Sequence, residues 1–111
     1  MISEKYNFFL IQFGESLADI GINEIALNRE YALKAVDILR TESIPILGGD
    51  VYEKQDETYC STYDNWYCEK SNYTNDEEYL KESWNKAENY IKNYNCGEGN
   101  LFFFTIVIPV Q

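Results

Sequence analysis

Apolar residues recur with two different periods along this chain, and the alternation between them sets out the elements. From Glu4 to Phe13, Tyr6, Phe9, Leu10 and Phe13 fall at helical spacing, which predicts a short amphipathic helix stopped at Gly14. Phe8 breaks that pattern and keeps a strand open as the alternative. Leu17 and Ile20 carry the apolar face through a turn to Gly21, and Ile22–Leu27 reads as a short strand. Asn28 is placed to cap the next helix, with Glu30 in its first turn facing the positive end of the helix dipole. From Arg29 to Thr41, Ala32, Ala35, Val36 and Leu39 make one stripe, widened by Leu33 and Ile38, so this helix is expected to pack on a sheet.

Pro45 ends the helical option, and Ile44–Leu47 reads as the start of a strand that runs to Glu53. Gly48-Gly49 in that run predicts a bulge or a close approach of another backbone. Gln55-Asp56-Glu57 has the composition of a hairpin turn. The return strand is expected from Thr58 to Glu69, with a break at Asp64-Asn65. After a polar loop, Ser71–Asn75, Asn75 and Glu78 stand at capping-box spacing. Leu80, Trp84, Ala87, Ile91 and Tyr94 then define a helix from Asp76 to Tyr94, with Gly97 and Gly99 marking its end. Leu101–Val110 is apolar at consecutive positions, as in a central strand covered on both faces and terminated by Pro109. The expected architecture is one α+β domain, a mixed sheet of about four strands carrying about three helices. Any crossover between parallel strands should be right-handed.

Composition narrows the function classes. A chain of 111 residues supports one hydrophobic core. Its longest apolar run is about half the ~20 residues of a membrane-spanning helix. The opening Met1–Lys5 lacks the basic and apolar regions of a secretory signal, which predicts a cytoplasmic protein. The net charge of −10 argues against nucleic acid, whose phosphates need clustered cations, and against anionic membranes. A basic protein partner is favoured instead. Cys60, Cys68 and Cys96 are odd in number and form no CxxC pair, so free thiols are expected. Without any histidine, Ser-His-Asp and Cys-His catalysis and histidine metal sites are excluded. No cofactor or metal is implied.

The segment Gly48–Trp84 stands apart. It holds six of the ten tyrosines and both tryptophans, and Tyr90 and Tyr94 follow just beyond it. Between Asp50 and Glu82, ten acids face three lysines, so this stretch alone carries −7 of the charge. Tyr and Trp offer large contact area at small entropic cost, and carboxylates beside them pair with Arg and Lys of a partner. Asp50, Tyr52, Asp64, Asn65, Trp66, Tyr67 and Glu69 are the candidate partner-binding residues. Packing competes with recognition for these rings: Trp84, on the helical stripe, reads as core, and Asp64–Tyr67 is balanced between the two. Gly48-Gly49-Asp50 lacks the lysine and the glycine spacing of a phosphate loop and reads as a strand irregularity. Lys34 and Arg40 read as solvated partners of nearby acids.

Three strings carry a family resemblance: Ala32–Leu39 (ALKAVDIL), Ile44–Tyr52 (IPILGGDVY) and Tyr63–Lys70 (YDNWYCEK). In them the chain resembles the bacterial immunity protein 40 family, and the order of elements follows that family over nearly the whole length. Leu101–Gln111 adds no motif to the likeness. The resemblance implies a small α+β protein, encoded beside a polymorphic toxin, that neutralises the cognate toxin domain by binding it and has no catalytic residues. Charge adds that the toxin is basic, for example a nuclease. On this reading Trp66→Ala, or paired reversal of Asp64 and Glu69, should weaken binding by more than ~1 kcal/mol. Two rivals remain at this level: an enzyme using Asp50 or Asp64 beside Tyr52 or Tyr67, and a scaffold or small-ligand module whose acidity serves solubility. The oligomeric state is open.

Overall fold

The computed structural model describes residues 3–95 and 101–109. Cys96, Gly97, Gly99 and Val110, to which roles were given above, lie outside the described residues.

Local signals and observed elements agree closely at the helices. Helix α1 spans Glu4–Phe13 and is capped by Ser3, whose Oγ accepts the Tyr6 N–H at 3.1 Å. It stops at Gly14, where the backbone turns extended, and only glycine fits there: a Cβ would lie 2.2 Å from Ile25 Cγ2 and 2.6 Å from the Leu10 carbonyl oxygen. Strand β1 (Glu15–Ser16) and a 3-10 turn (Ala18–Ile20) lead to β2 (Ile25–Asn28). Asn28 caps α2 (Arg29–Thr41) by accepting the Tyr31 N–H at 2.9 Å. The buried residues of α2 are the four of its predicted stripe, and three of them are Ala or Val, which lets the helix axis approach the sheet closely. Asn75 caps α3 (Asp76–Asn93) by accepting the Glu78 N–H at 2.7 Å. At its other end, Arg29 donates to the Ile91 carbonyl at 3.0 Å and to the Tyr94 carbonyl, placing a cation on orphan acceptors at the negative end of the helix. Lys34 and Arg40 pair with Glu30, Asp37 and Glu88, as expected of solvated partners.

Strand β3 (Gly48–Gln55), the turn at Asp56, β4 (Thr58–Tyr67) and β5 (Phe102–Val107) complete a five-stranded sheet in the order β1-β2-β5-β3-β4. The α+β class and the three helices are as expected, and β5 is central. The sheet is antiparallel at every pairing, not mixed, and it has five strands because Glu15–Ser16 adds to its edge. The helix-linked neighbours therefore need no parallel crossover.

Three details differ from the sequence reading. Ile44–Leu47 does not open the strand. Ile44 and Ile46 are held by α3 instead: Trp84 Nε1 donates to the Ile44 carbonyl at 2.7 Å, and the Ile46 N–H donates to the buried Ser83 Oγ at 3.1 Å; only Leu47, next to Gly48, bonds toward the sheet, donating to the Val107 carbonyl at 2.8 Å and accepting the Cys68 N–H at 2.9 Å. Gly48 and Gly49 are not a bulge; both pair in register with β4 and β5. Gly49 marks a close approach, since a Cβ would sit 2.1 Å from the Thr105 carbonyl oxygen and 2.3 Å from the Trp66 ring. The bulge lies across from Val51. Asp50 pairs with Asn65 but Tyr52 pairs with Ser61, and Tyr63 takes up the excess at φ 67°. Side chains replace the lost ladder there: Thr62 Oγ1 donates to the Val51 carbonyl at 3.1 Å, and Ser61 Oγ accepts the Tyr63 N–H at 3.0 Å. β4 ends at Tyr67, short of Glu69.

The two faces of the sheet are covered unequally. On one, α1, α2 and α3 pack over Leu27, Val51, Trp66, Phe102 and Phe104. On the other, Leu17, Ile20 and Ile22 cover only Ala26, Tyr52, Tyr59 and Phe103.

Candidate functional site

Side chains alternate between sheet faces, so the register assigns each one. Tyr52 and Phe103 belong to the face opposite the helices. Two residues along on β3 and β5, Asp50 and Thr105 share that face, and so do their neighbours Gly48, Asn65, Tyr67 and Val107. Among the described residues no helix or strand packs over Asn65, Tyr67 or Val107, although Thr105 and Gly48 between them are buried. Asn65, Tyr67 and Val107 are exposed and Asp50 is half-buried. The surface between Gly48, Asp50, Asn65, Tyr67 and Val107 is a shallow depression of about 230 Å³. The covering loop, Leu17–Ile22, packs on Tyr52 and Phe103, at the other end of this face.

The candidate residues distribute unevenly over this geometry. Asp50, Asn65 and Tyr67 come together on the open half-face. Tyr67 is 61% exposed at the sheet edge, with the Lys86 ammonium 5.6 Å above its ring. Asp64 and Glu69 are exposed but apart: Asp64 accepts the Tyr94 hydroxyl at 2.5 Å beside the bulge, and Glu69 lies past the end of β4. Tyr52 and Trp66, both 5% exposed, are core groups and offer almost no surface to a partner. Tyr52 is sealed beneath the Leu17–Ile22 loop. Trp66 points to the helix face, stacked on Tyr90 at 4.9 Å. Alternation explains this: Trp66 lies between Asn65 and Tyr67, so exposing those two buries the ring. Trp84 is core, as its place on the α3 stripe implied.

Two groups escaped the sequence reading. Tyr63 is 88% exposed because the bulge turns it outward, and no local pattern announces that. Glu24, just ahead of β2, lies within reach of the charge of Asp50 on β3. Burial, and then the charge of Asp50, raise its carboxyl pKa above the ordinary value. Burial and the same two acids raise the Tyr52 phenol. Among the described residues neither Glu24 nor Asp50 forms an ion pair, so the open half-face concentrates uncompensated negative charge.

Among the described residues, no cluster of three or more Cys, Asp or Glu side chains is arranged to hold a metal ion. Cys60 and Cys68 are free thiols. No described helix is long and apolar enough to cross a membrane. The half-face can therefore offer hydrogen bonds, negative charge and one aromatic edge, a set suited to docking.

Neither the curated proteins nor the solved structures contain a match to this chain. The sequence profile described as Immunity protein 40 does match, over residues 16–108, from the edge strand to the end of the central strand. That span takes in every strand residue but Glu15, both larger helices and the whole open half-face, and leaves out only α1 and the chain ends. The chain is thus an immunity protein, one that acts against a toxin, and it belongs to the immunity protein 40 family.

Proposed function

We propose that this protein neutralises a cognate bacterial toxin by docking the open half of its sheet onto a basic surface of the toxin domain, without catalysing a reaction. The observation that carries the reading is an open patch bearing Asp50, Asn65 and Tyr67, with Glu24 near it and, among the described residues, no ion pair to either acid. A charge of −10 accelerates encounter with a cationic partner, and the exposed tyrosine edge supplies contact area once docked. A nuclease fits as target, because the surface that receives phosphates is cationic and carboxylates can occupy it. Asp64, Glu69 and Tyr63 flank the patch and extend its acidic and aromatic rim. The protein works in the cytoplasm, beside the polymorphic toxin system that encodes it.

The rival enzymatic reading finds weak support. Tyr52 is sealed in the core, and Asp64 is engaged by Tyr94. The depression at Asp50 is shallow and open, whereas acid–base catalysis needs a site that excludes water around a positioned pair.

Calorimetric titration with the toxin domain encoded in the adjacent reading frame tests the proposal. Asn65→Arg should lower affinity by roughly tenfold or more, since it sets a cation against a cationic partner at the centre of the patch. Wild-type affinity for a folded Asn65→Arg variant would remove this face from consideration.

A further inference from the structure

Next to the docking face lies a cleft whose chemistry is more specific. β2 and β5 are in register only at Leu27↔Phe104 and Asn28↔Phe103. Beyond them, toward Ile25 and Ile106, the strands part and α1 forms a third wall. The resulting cleft encloses about 540 Å³, with Asn23 and Glu24 on one side, Thr105 and Ile106 on another, and Tyr6 and Leu10 from the helix. It meets the docking face at Val107, which borders both.

Two independent observations point to an occupant. Tyr6 is only 3% exposed, yet its hydroxyl has no hydrogen-bond partner among the described residues. Tyr6 and Glu24 both line the cleft, and the phenol lies near enough to that carboxyl to be affected by its charge. Burial, with a contribution from Glu24, holds this phenol well above its ordinary pKa, which keeps it a neutral hydroxyl. The second observation is Glu24 itself, half-buried, repelled by Asp50 and without a cation. An anion would be repelled here, and a purely apolar group would leave both polar atoms unsatisfied. A guanidinium suits the site better than an ammonium. Its planar fork donates to several acceptors at once, it is less strongly hydrated, and its stem can lie on Leu10 and Ile106. The volume admits such a side chain together with the main chain that bears it.

We infer that the cleft receives an arginine side chain of the toxin, its guanidinium held between the Glu24 carboxylate and the Tyr6 hydroxyl. This rests on the docking reading above and names the contact that anchors it.

The test uses the full chain in two arms. In the first, Glu24→Gln, Tyr6→Phe and Asn65→Arg are titrated against the toxin domain of the adjacent reading frame, with thermal melting as the check on folding. Glu24→Gln should lose roughly tenfold or more in affinity, and Tyr6→Phe about threefold. Glu24→Gln should nevertheless melt at or above wild type at neutral pH, because a repelled half-buried charge is gone; a merely structural Glu24 would lower both. Wild-type affinity in Glu24→Gln and Tyr6→Phe, alongside lost affinity in Asn65→Arg, overturns the cleft and leaves the docking face intact. Wild-type affinity in all three overturns both. In the second arm, which needs no toxin, N-acetyl-arginine methylamide and its citrulline counterpart are titrated at millimolar concentration while amide NMR spectra are recorded. Shifts at Asn23 with arginine alone, abolished in Glu24→Gln, are expected; equal responses to both probes, or none, overturn the inference.

Discussion

Replacing Trp66 separates two contributions that the wild-type structure combines. The ring is buried against Tyr90 and over Gly49, and such a side chain removes about 150–250 Å² from water. At about 25 cal/mol per Å² that burial is worth on the order of 4–6 kcal/mol as an upper bound, and Trp→Ala changes in cores cost about 3–5 kcal/mol. Against this, Trp66 Nε1 is buried with no hydrogen-bond partner among the described residues, a penalty of about 1–3 kcal/mol. Trp66→Phe keeps an aromatic ring on the Tyr90 side and deletes the orphan N–H. It forfeits about two carbon-sized groups, roughly 1.5 kcal/mol at ~0.8 kcal/mol each. The two changes nearly cancel. Urea unfolding should therefore place Trp66→Phe within about 1.5 kcal/mol of wild type and Trp66→Ala at least about 3 kcal/mol below it. Any loss of toxin affinity in Trp66→Ala should follow its unfolded fraction, not a lost contact. Equal destabilisation by Phe and Ala would refute the cancellation and show that the N–H is satisfied. A fully stable Trp66→Ala would refute burial of the ring.

Three further outcomes follow from the same geometry. Gly49→Ala forces a methyl against the Thr105 carbonyl oxygen and the Trp66 ring, and should cost at least about 1–3 kcal/mol in urea unfolding with little change in slope. Glu24 binds its proton more tightly folded than unfolded, so the stability this provides is complete below its ordinary pKa of 4.5 and is lost as pH rises through the raised folded value. Melting curves across pH should therefore show Glu24→Gln matching wild type in acid and surpassing it toward neutrality; a gap independent of pH would contradict the assignment. Arg29→Ala leaves the Ile91 and Tyr94 carbonyls at the end of α3 without their charged donor, and a loss of about 1.5–3 kcal/mol is expected by the same unfolding assay.

The helices were legible because their determinants are local. Asn28 and Asn75 satisfy N–H groups three residues on, and the stripes of α2 and α3 repeat within one turn or two, so a few consecutive residues suffice. The central position of β5 was also legible, because Phe102–Phe104 must be covered on both faces wherever they lie. What the chain alone left undecided were choices between distant partners. Ile44–Leu47 has strand composition, but Ser83 and Trp84 claim main-chain groups of Ile46 and Ile44; Gly48-Gly49 looks like a bulge, but the bulge falls at Thr62–Asp64. Composition marked Asp50–Glu69 as acidic and aromatic, and immunity-like strings marked the family. Whether Trp66 or its neighbours faced solvent depended on register, and register is set by packing across strands far apart in sequence. The influence of Asp50 on Glu24, and the cleft where β2 leaves β5, join segments separated by a whole helix or more. Only the tertiary structure could bring them together, because no local period relates residues whose contact is made by the sheet.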